Sequence, residues 1–437
     1  MKKKKSKKKS SGIQQSPVKL SLYMIVKNEE KNIEKALGWA KDVTFEQIVV
    51  DTGSTDRTVE IAKRMGAKVY HFEWINDFAT ARNFALEQAT GNWITGVDAD
   101  EYMTVEDAKK ILTSIKWIQS NREAGERYLA VSGTAINLDD NGRPTSSLIR
   151  ICAFRNDPAI RFSGRIHERL FIDEKQIFYI DGIKVYHTGY SETAKKEAGK
   201  SERNVKMLRA ELERNPSDIN IKAYLADSLS SLPDEKSRNE AASLFEDVLN
   251  SSAFVYDILK MKAYVFFIHT YLNDSEKLLK CEEMCKKALE EFPNTLDFEY
   301  FLGHLLNKKE EYNKAWEQLK KCEMMLTKIS DNDKSYLIPD NPVMLYGQIM
   351  IAAHGLGDAE NVVLYSTMIL SIDNTRQEVL SSCISTLLRC GASYAEVTGL
   401  LSQLYDFKNN NELQLIKHAA EDCGAIAFFD KLMQSTD

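Results

Sequence analysis

The chain has 437 residues, of which 43% are hydrophobic and 28% charged, with a formal net charge of −6. This is ordinary globular composition at a length suited to two or three domains, and the acidic balance argues against a molecule built to bind nucleic acid. No stretch is long and apolar enough to span a bilayer; "AYVFFIHTYL" (263–272) is about half the ~20 residues such a helix needs, so no transmembrane segment is expected.

The chain begins "MKKKKSKKKSSG". Like charges repel, so residues 1–17 read as a disordered, solvated Lys-rich tail, with an anionic partner as the sharper alternative. The following "SSGIQQSPVK" has none of the apolar run a secretion signal requires. The seven cysteines show no CxxC spacing, and Cys281 and Cys285 lie four apart within a helical pattern. Disulfides and zinc are therefore not expected, and the reading is a protein of the reducing cytoplasm.

Residues 18–195 alternate strands with helices. "VKLSLYMIV" reads as a strand, "EEKNIEKALGWA" as a helix, and "FEQIVVDTGS" as a strand and turn. "STDRTVEIAKRMG" is a helix stopped by Gly66, and "AKVYHFEW" is a strand. "DFATARNFALEQATG" is a helix with Asp77 as N-cap and Gly91 at its end, and "NWITGVDAD" is the next strand. The βαβαβαβ order predicts an α/β domain with a mostly parallel sheet wrapped by helices. Ligands of such sheets bind beyond the carboxyl ends of the strands. Lys27-Asn28-Glu29, Asp51 and Asp98/Asp100 all fall at those ends.

Residues 196–437 are helical and repeat. "FFIHTYLNDSEKLLKCEEMCKKALEEFPN" aligns with "YFLGHLLNKKEEYNKAWEQLKKCEMML", so that His269, Cys281, Cys285 and Ala288 match Gly303, Ala315, Leu319 and Cys322. Each pair is 34 apart, the period of tetratricopeptide-type helical hairpins. Pro216 precedes Ala226 as Pro293 precedes Gly303, placing another unit at 217–250, and "MLYGQIMIAAHGLGDAENVVLYSTMILSID" is a further one. Beyond 375 the register fades. Such repeats stack into a solenoid that grips a peptide or pairs two chains into a homodimer.

The D-x-D of Asp98 and Asp100, with Glu101 beside them, places three carboxylates at a strand exit. They repel unless something positive sits among them. Hard divalent cations such as Mg2+ or Mn2+ take oxygen ligands, keep waters and are completed by substrate phosphates. The bland alternative is a solvated turn.

"SLYMIVKNEEKNIEKAL", "IVVDTGSTDRTVEIAK" and "FATARNFALEQATGNWITGVDADE" together resemble glycosyltransferase family 2, of the Rossmann-like GT-A fold. With "RFSGRIHERL", "IKVYHTGY" and the repeats that follow, the chain is similar to the sublancin-type enzymes that glycosylate cysteine thiols of bacteriocin peptides. The resemblance implies an inverting, metal-dependent transferase with a UDP-sugar donor and a peptide acceptor. It places Glu29 and Asp51 at the uracil and ribose, Lys27 and Asn28 beside them among the donor-binding residues, and Asp98 and Asp100 at the metal and diphosphate. Arg82 would support the diphosphate or the aspartates, and His187 would be a third metal ligand. An inverting enzyme needs a carboxylate general base. Glu168, with His167 beside it, is the candidate; Glu101 and Asp181 are its rivals. Missing QxxRW and membrane-helix features set the chain apart from the family's processive synthases. Two other readings stand beside this one: transfer to a cell-envelope carbohydrate or a Ser/Thr hydroxyl, and a non-catalytic repeat protein that binds partners.

Overall fold

The computed structural model describes residues 17–139, 142–188, 200–328, 337–339 and 341–436. The Lys-rich start lies outside these residues but for Pro17. The chain divides into two compact units, residues 1–215 and 216–437.

In the first unit β1 (Leu20–Val26), β2 (Glu46–Asp51), β3 (Lys68–His71) and β4 (Trp93–Gly96) are separated by α1 (Ile33–Gly38), α2 (Thr58–Arg64) and α3 (Phe78–Glu87). They pair in parallel in the order β3-β2-β1-β4. Both faces of this half-sheet are covered, so β1 and β2 carry nearly continuous buried side chains. Leu20, Leu22, Met24 and Val26 pack with Ile33, Leu37 and Ile61 on one face. Tyr23, Ile48, Val50 and Ile94 pack with Ala85 and Leu86 of α3 on the other. Each such side chain removed from water stabilises by about 1.5–3 kcal/mol.

The local signals act as their chemistry dictates. Asp77 caps α3 by accepting the Thr80 N–H at 2.9 Å. Gly66 ends α2 with a φ of 90°, which a side chain would resist. Gly91 follows α3 at a point where a Cβ would stand 2.4 Å from the Lys19 carbonyl, so only glycine admits the chain beside β1.

The sheet then departs from the simple parallel pattern. After β5 (Glu101–Met103), α4 (Val105–Ser120) and α5 (Arg122–Arg127), the chain adds β6 (Ala130–Leu138) and β7 (Pro144–Arg155). Beyond β8 (Phe162–Ser163) and β9 (Arg169–Leu170) comes β10 (Ile177–His187). The full order is β3-β2-β1-β4-β7-β6-β10-β5, with β7 antiparallel to both β4 and β6, β10 parallel to β6, and β5 antiparallel to β10. β8 and β9 form a separate small hairpin. The mixed sheet therefore has a parallel half and a second half built by long-range pairing. Helix α6 (Lys200–Arg214) completes the unit.

The second unit is helical throughout its described residues. Its hairpins are α7 (Ile219–Ser230) with α8 (Glu235–Asn250), α9 (Asp257–Leu272) with α10 (Leu278–Glu291), and α11 (Leu296–Lys308) with α12 (Tyr312–Leu326). They continue as α13 (Pro342–Gly355) with α14 (Ala359–Ile372), α15 (Gln377–Arg389) with α16 (Tyr394–Leu401), and α17 (Asn410–Asp422) with α18 (Ile426–Thr436). Cys281, Cys285, Ala288, Ala315, Leu319 and Cys322 are all buried, as their 34-residue correspondence requires. A Cβ on Gly303 would lie 2.5 Å from Leu319 Cδ2, so the crossing of α11 and α12 needs glycine. The match slips at His269, which is exposed and sets its ring against Phe301. Among the described residues no helix is long and apolar enough to cross a membrane.

At the end of the sheet away from the strand exits, buried Glu46 binds Ser21 Oγ (2.7 Å), Thr90 N–H and O–H (2.7 and 2.8 Å) and Lys68 Nζ (2.7 Å). Burial pushes the carboxyl up, but these donors outweigh it and hold the group at about 2. A depressed folded value means the contribution is present above the ordinary carboxylate range and lost as pH falls through it. We expect acid titration followed by circular dichroism to show about 3 kcal/mol lost between pH 4.5 and 2. Glu46→Gln should flatten that stretch of the profile and be less stable at pH 7.

Candidate active site

The exits of β1 and β2 are zipped into one platform. Val26 and Asp51 are register partners. Asn28 adopts the left-handed region (φ 56°); its N–H donates to Ser54 Oγ at 2.9 Å and its Oδ1 accepts from Thr55 N–H at 2.8 Å. Glu29 donates its N–H to Thr58 Oγ1 at 2.7 Å, and its carboxylate accepts from Asn32 Nδ2 at 2.9 Å. Asp51 is 4% exposed, accepts the Ser54 N–H at 3.1 Å and lies 3.3 Å from His71 Nδ1. Lys27 is exposed beside them. The fold thus brings Lys27, Asn28, Glu29 and Asp51 to adjacent strand ends with their loops cross-bonded.

The β4 exit answers the charge problem with three separate partners, two guanidinium groups and an imidazole. Arg82, from α3, donates from Nη2 to Asp98 Oδ1 at 2.8 Å and from Nε to Glu168 Oε1 at 2.5 Å. Burial opposes the Arg82 charge, but Asp98 and Glu168 are among the groups that outweigh it and raise Arg82 well above its ordinary value. Glu101 is 5% exposed. One of its oxygens binds the Arg150 guanidinium, and the other accepts the Asp98 main-chain N–H at 2.8 Å. Asp100 faces His187 Nε2 at 3.3 Å, while His187 Nδ1 lies 3.1 Å from Asn137 Oδ1. Burial lowers the His187 value, and Asp100, Glu101 and Asp98 more than reverse it.

Glu168 reaches this cluster on the hairpin of β8 and β9. The hairpin is fastened to α3 by main-chain bonds. Asn83 donates to the Phe162 carbonyl and accepts its N–H, both at 2.9 Å, and the Phe78 N–H donates to the Arg165 carbonyl at 2.8 Å. The turn passes through Gly164 (φ 96°) and His167 (φ 55°), so His167 is the side chain carried in a left-handed backbone next to Glu168. The "ARN" block therefore does two tasks: Arg82 joins Asp98 to Glu168, and Asn83 holds the arm that carries Glu168. Asp181 is placed elsewhere. It is exposed at the bulge of β10, six residues or roughly 20 Å of strand before His187.

Among the described residues, no three His, Cys, Asp or Glu side chains are grouped to hold a metal ion. Asp98 turns to Arg82, whose buried guanidinium needs counter-charge, while Asp100 and His187 stand together. The donor chemistry of that pair suits a small hard cation. Neighbouring ligands of an octahedral ion at ~2.1 Å are about 3 Å apart, and Asp100 Oδ1 and His187 Nε2 are separated by 3.3 Å. Two protein ligands fit an ion that keeps waters and takes substrate phosphates.

Sequence reading missed Arg150, Asn83, Asn137 and Tyr23. The Tyr23 ring lies under Gly96, where a Cβ would come within 2.2 Å, so that glycine is needed for the close approach. Arg150 and Asn137 carry no local signal, because their partners Glu101 and His187 are 49 and 50 residues away.

Residues 21–144 match the family model for Glycosyl transferase family 2, a segment that ends before Arg150, Glu168 and His187. A TPR repeat-containing protein of Synechococcus elongatus is 33% identical over 225 residues, covering 49% of this chain and 52% of its own. The SPbeta prophage-derived glycosyltransferase SunS of Bacillus subtilis is 30% identical over 199 residues, covering 44% of this chain and 45% of its own. The chain thus spans about half the length of these curated relatives. Among solved structures, S. aureus TarS aligns at 18% identity over 57% of this chain and 52% of that one, with a TM-score of 0.33, too low to carry an argument.

Removing the Arg82 guanidinium leaves Asp98 and Glu168 facing each other across the site. Arg82→Met should lower the unfolding free energy by about 3 kcal/mol, read by urea denaturation. Arg82→Lys should recover only part of it, since a point charge cannot make both bonds of the planar fork.

Proposed function

We propose that this chain, whose N-terminal unit carries a glycosyltransferase family 2 domain, transfers a sugar from a UDP-sugar to a cysteine thiol of a peptide, with inversion. The observation that carries the reading is the Arg82 bridge. One guanidinium joins a carboxylate of the donor-side D-x-D to Glu168, so a diphosphate leaving group and a proton acceptor flank the same space. What supports a thiol acceptor is the resemblance of the site motifs and repeats to sublancin-type enzymes.

In this reading the β1 and β2 exits take the nucleoside. Asn28 and Glu29 line its base, and the Asp51 carboxylate accepts from the ribose hydroxyls. Arg82 holds the diphosphate end together with Asp98. Glu168 Oε1 is anchored to Arg82, and Oε2 accepts the thiol proton. The sulfur then forms its bond to the anomeric carbon as the bond to the diphosphate oxygen breaks, and UDP leaves with the electron pair. A Mg2+ or Mn2+ ion held by Asp100 and His187, with Asp98 beside them, would neutralise the charge that develops on that leaving group. A thiol lightens the task of the base, because it ionises far more readily than a hydroxyl. The helical unit presents an extended surface on which a flexible peptide gains effective concentration; pairing of two chains is its other role.

The test uses full-length protein, a panel of UDP-sugars, and a peptide with one cysteine beside its Cys→Ser counterpart. Transfer to the cysteine peptide should be abolished by EDTA and restored by Mn2+ or Mg2+. Saturating UDP with metal, at 100 times its dissociation constant, should stabilise the fold by about 2.7 kcal/mol. Glu168→Gln should cut turnover by about 10²–10⁴ with UDP affinity retained. Transfer to the serine peptide or to a carbohydrate alone would move the acceptor to a hydroxyl. Absence of any nucleoside-diphosphate shift would sink the donor reading and favour a non-catalytic binding protein.

A further inference from the structure

The β4–β7 ladder runs only through Trp93–Arg155, Ile94–Phe154 and Thr95–Ala153. It stops one residue before Gly96. On the other side of β7, the pairing with β6 shifts between Val131–Ala153 and Ser132–Ile151, leaving Cys152 as the extra residue of a bulge. Bulges next to binding sites re-aim nearby side chains. Here Arg150 stands two residues before the bulged Cys152 and its side chain reaches the gap. Its Nη2 takes the Gly96 carbonyl at 3.2 Å, which the ladder has left without a strand partner on that side. Its Nη1 binds Glu101, and Glu101 accepts the Asp98 N–H at 2.8 Å.

Other main-chain bonds hold the same turn. Glu101 N–H donates to the Asp98 carbonyl at 2.9 Å, and the Thr188 N–H and hydroxyl both donate to the Asp100 carbonyl at 2.9 Å. We infer that Arg150 is a positioning residue for the donor site: through Glu101 and Gly96 it sets the Asp98–Asp100 turn on which the nucleoside diphosphate is received. It also neutralises Glu101 internally, which keeps Asp98 and Asp100 as the carboxylates offered to ligand. Glu101 then serves as a buttress of the turn. The inference rests on the proposed UDP-sugar reading and adds a residue beyond the segment that matches the family model.

Arg150→Met alone strands the buried Glu101 carboxylate and is prone to unfold. The informative variants are Arg150→Lys, which reaches Glu101 or the Gly96 carbonyl but not both, and Arg150→Met/Glu101→Gln, which removes both charges and keeps an acceptor for the Asp98 N–H. Each is measured for melting temperature, UDP dissociation constant by calorimetry with Mn2+, and KM for donor and peptide. UDP affinity should weaken and donor KM rise by about 10–100-fold, with peptide KM unchanged and the fold intact. Arg150→Lys should fall between wild type and the double variant. A folded double variant that binds UDP as tightly as wild type, or one whose peptide KM shifts as much as its donor KM, overturns the inference and leaves the donor reading standing. Wild-type protein that binds no nucleoside diphosphate brings down both together.

Discussion

Carboxylates crowded at a strand exit repel one another, and much of the first unit is arranged around that repulsion. Asp98, Asp100 and Glu101 each meet a different cationic or protonatable group, and each of those groups arrives from a different element: Arg82 from α3, His187 from β10, Arg150 from β7. The three elements are tied to one another through the charges they neutralise. The site is therefore not a decoration on a finished sheet. Its ion pairs contribute to joining the parallel half of the sheet to the mixed second half, and a ligand that competes for one of them acts on that junction.

The parallel half was legible in the residues because its signals are local. Alternation of strand and helix, the Asp77 cap and the Gly66 stop all act within a few positions. The repeat spacing was legible for a related reason: the buried pairs Cys281/Ala315, Cys285/Leu319 and Ala288/Cys322 recur at a fixed period. The second half of the sheet was not legible. β6, β7 and β10 owe their places to pairing across tens of residues, and β7 separates β4 from β6 in a way no run of hydrophobic residues announces. The candidate site split along the same line. Asp51, Asp98 and Asp100 stood out by position at strand ends. Glu168 and His187 came only through family resemblance. Arg150 escaped because an arginine in an unremarkable "SSLIRICAF" has nothing nearby to give it meaning until the bulge at Cys152 turns it toward Glu101.

Glu101 illustrates how environment decides the role of a carboxylate. It shares the turn with two aspartates and is the same functional group as Glu168. Glu101 is shut in, with one oxygen committed to Arg150 and the other to a peptide N–H. Glu168 stands on a hairpin with one oxygen held by Arg82. The first arrangement suits holding a loop; the second leaves an oxygen to exchange a proton. Residue type alone made them rivals, and their hydrogen-bond environments differ.

The arm that bears Glu168 is attached in an unusual way. Asn83 grips both polar atoms of the Phe162 peptide unit, and Phe78 binds the carbonyl of Arg165. These contacts read the backbone and are blind to most of the side chains between them. Substitutions at Ser163 or Ile166 can therefore accumulate without breaking these bonds, provided Gly164 keeps its turn and Glu168 its place. Mutational drift in this stretch can change what the arm touches while the position of Glu168 beside Arg82 stays fixed.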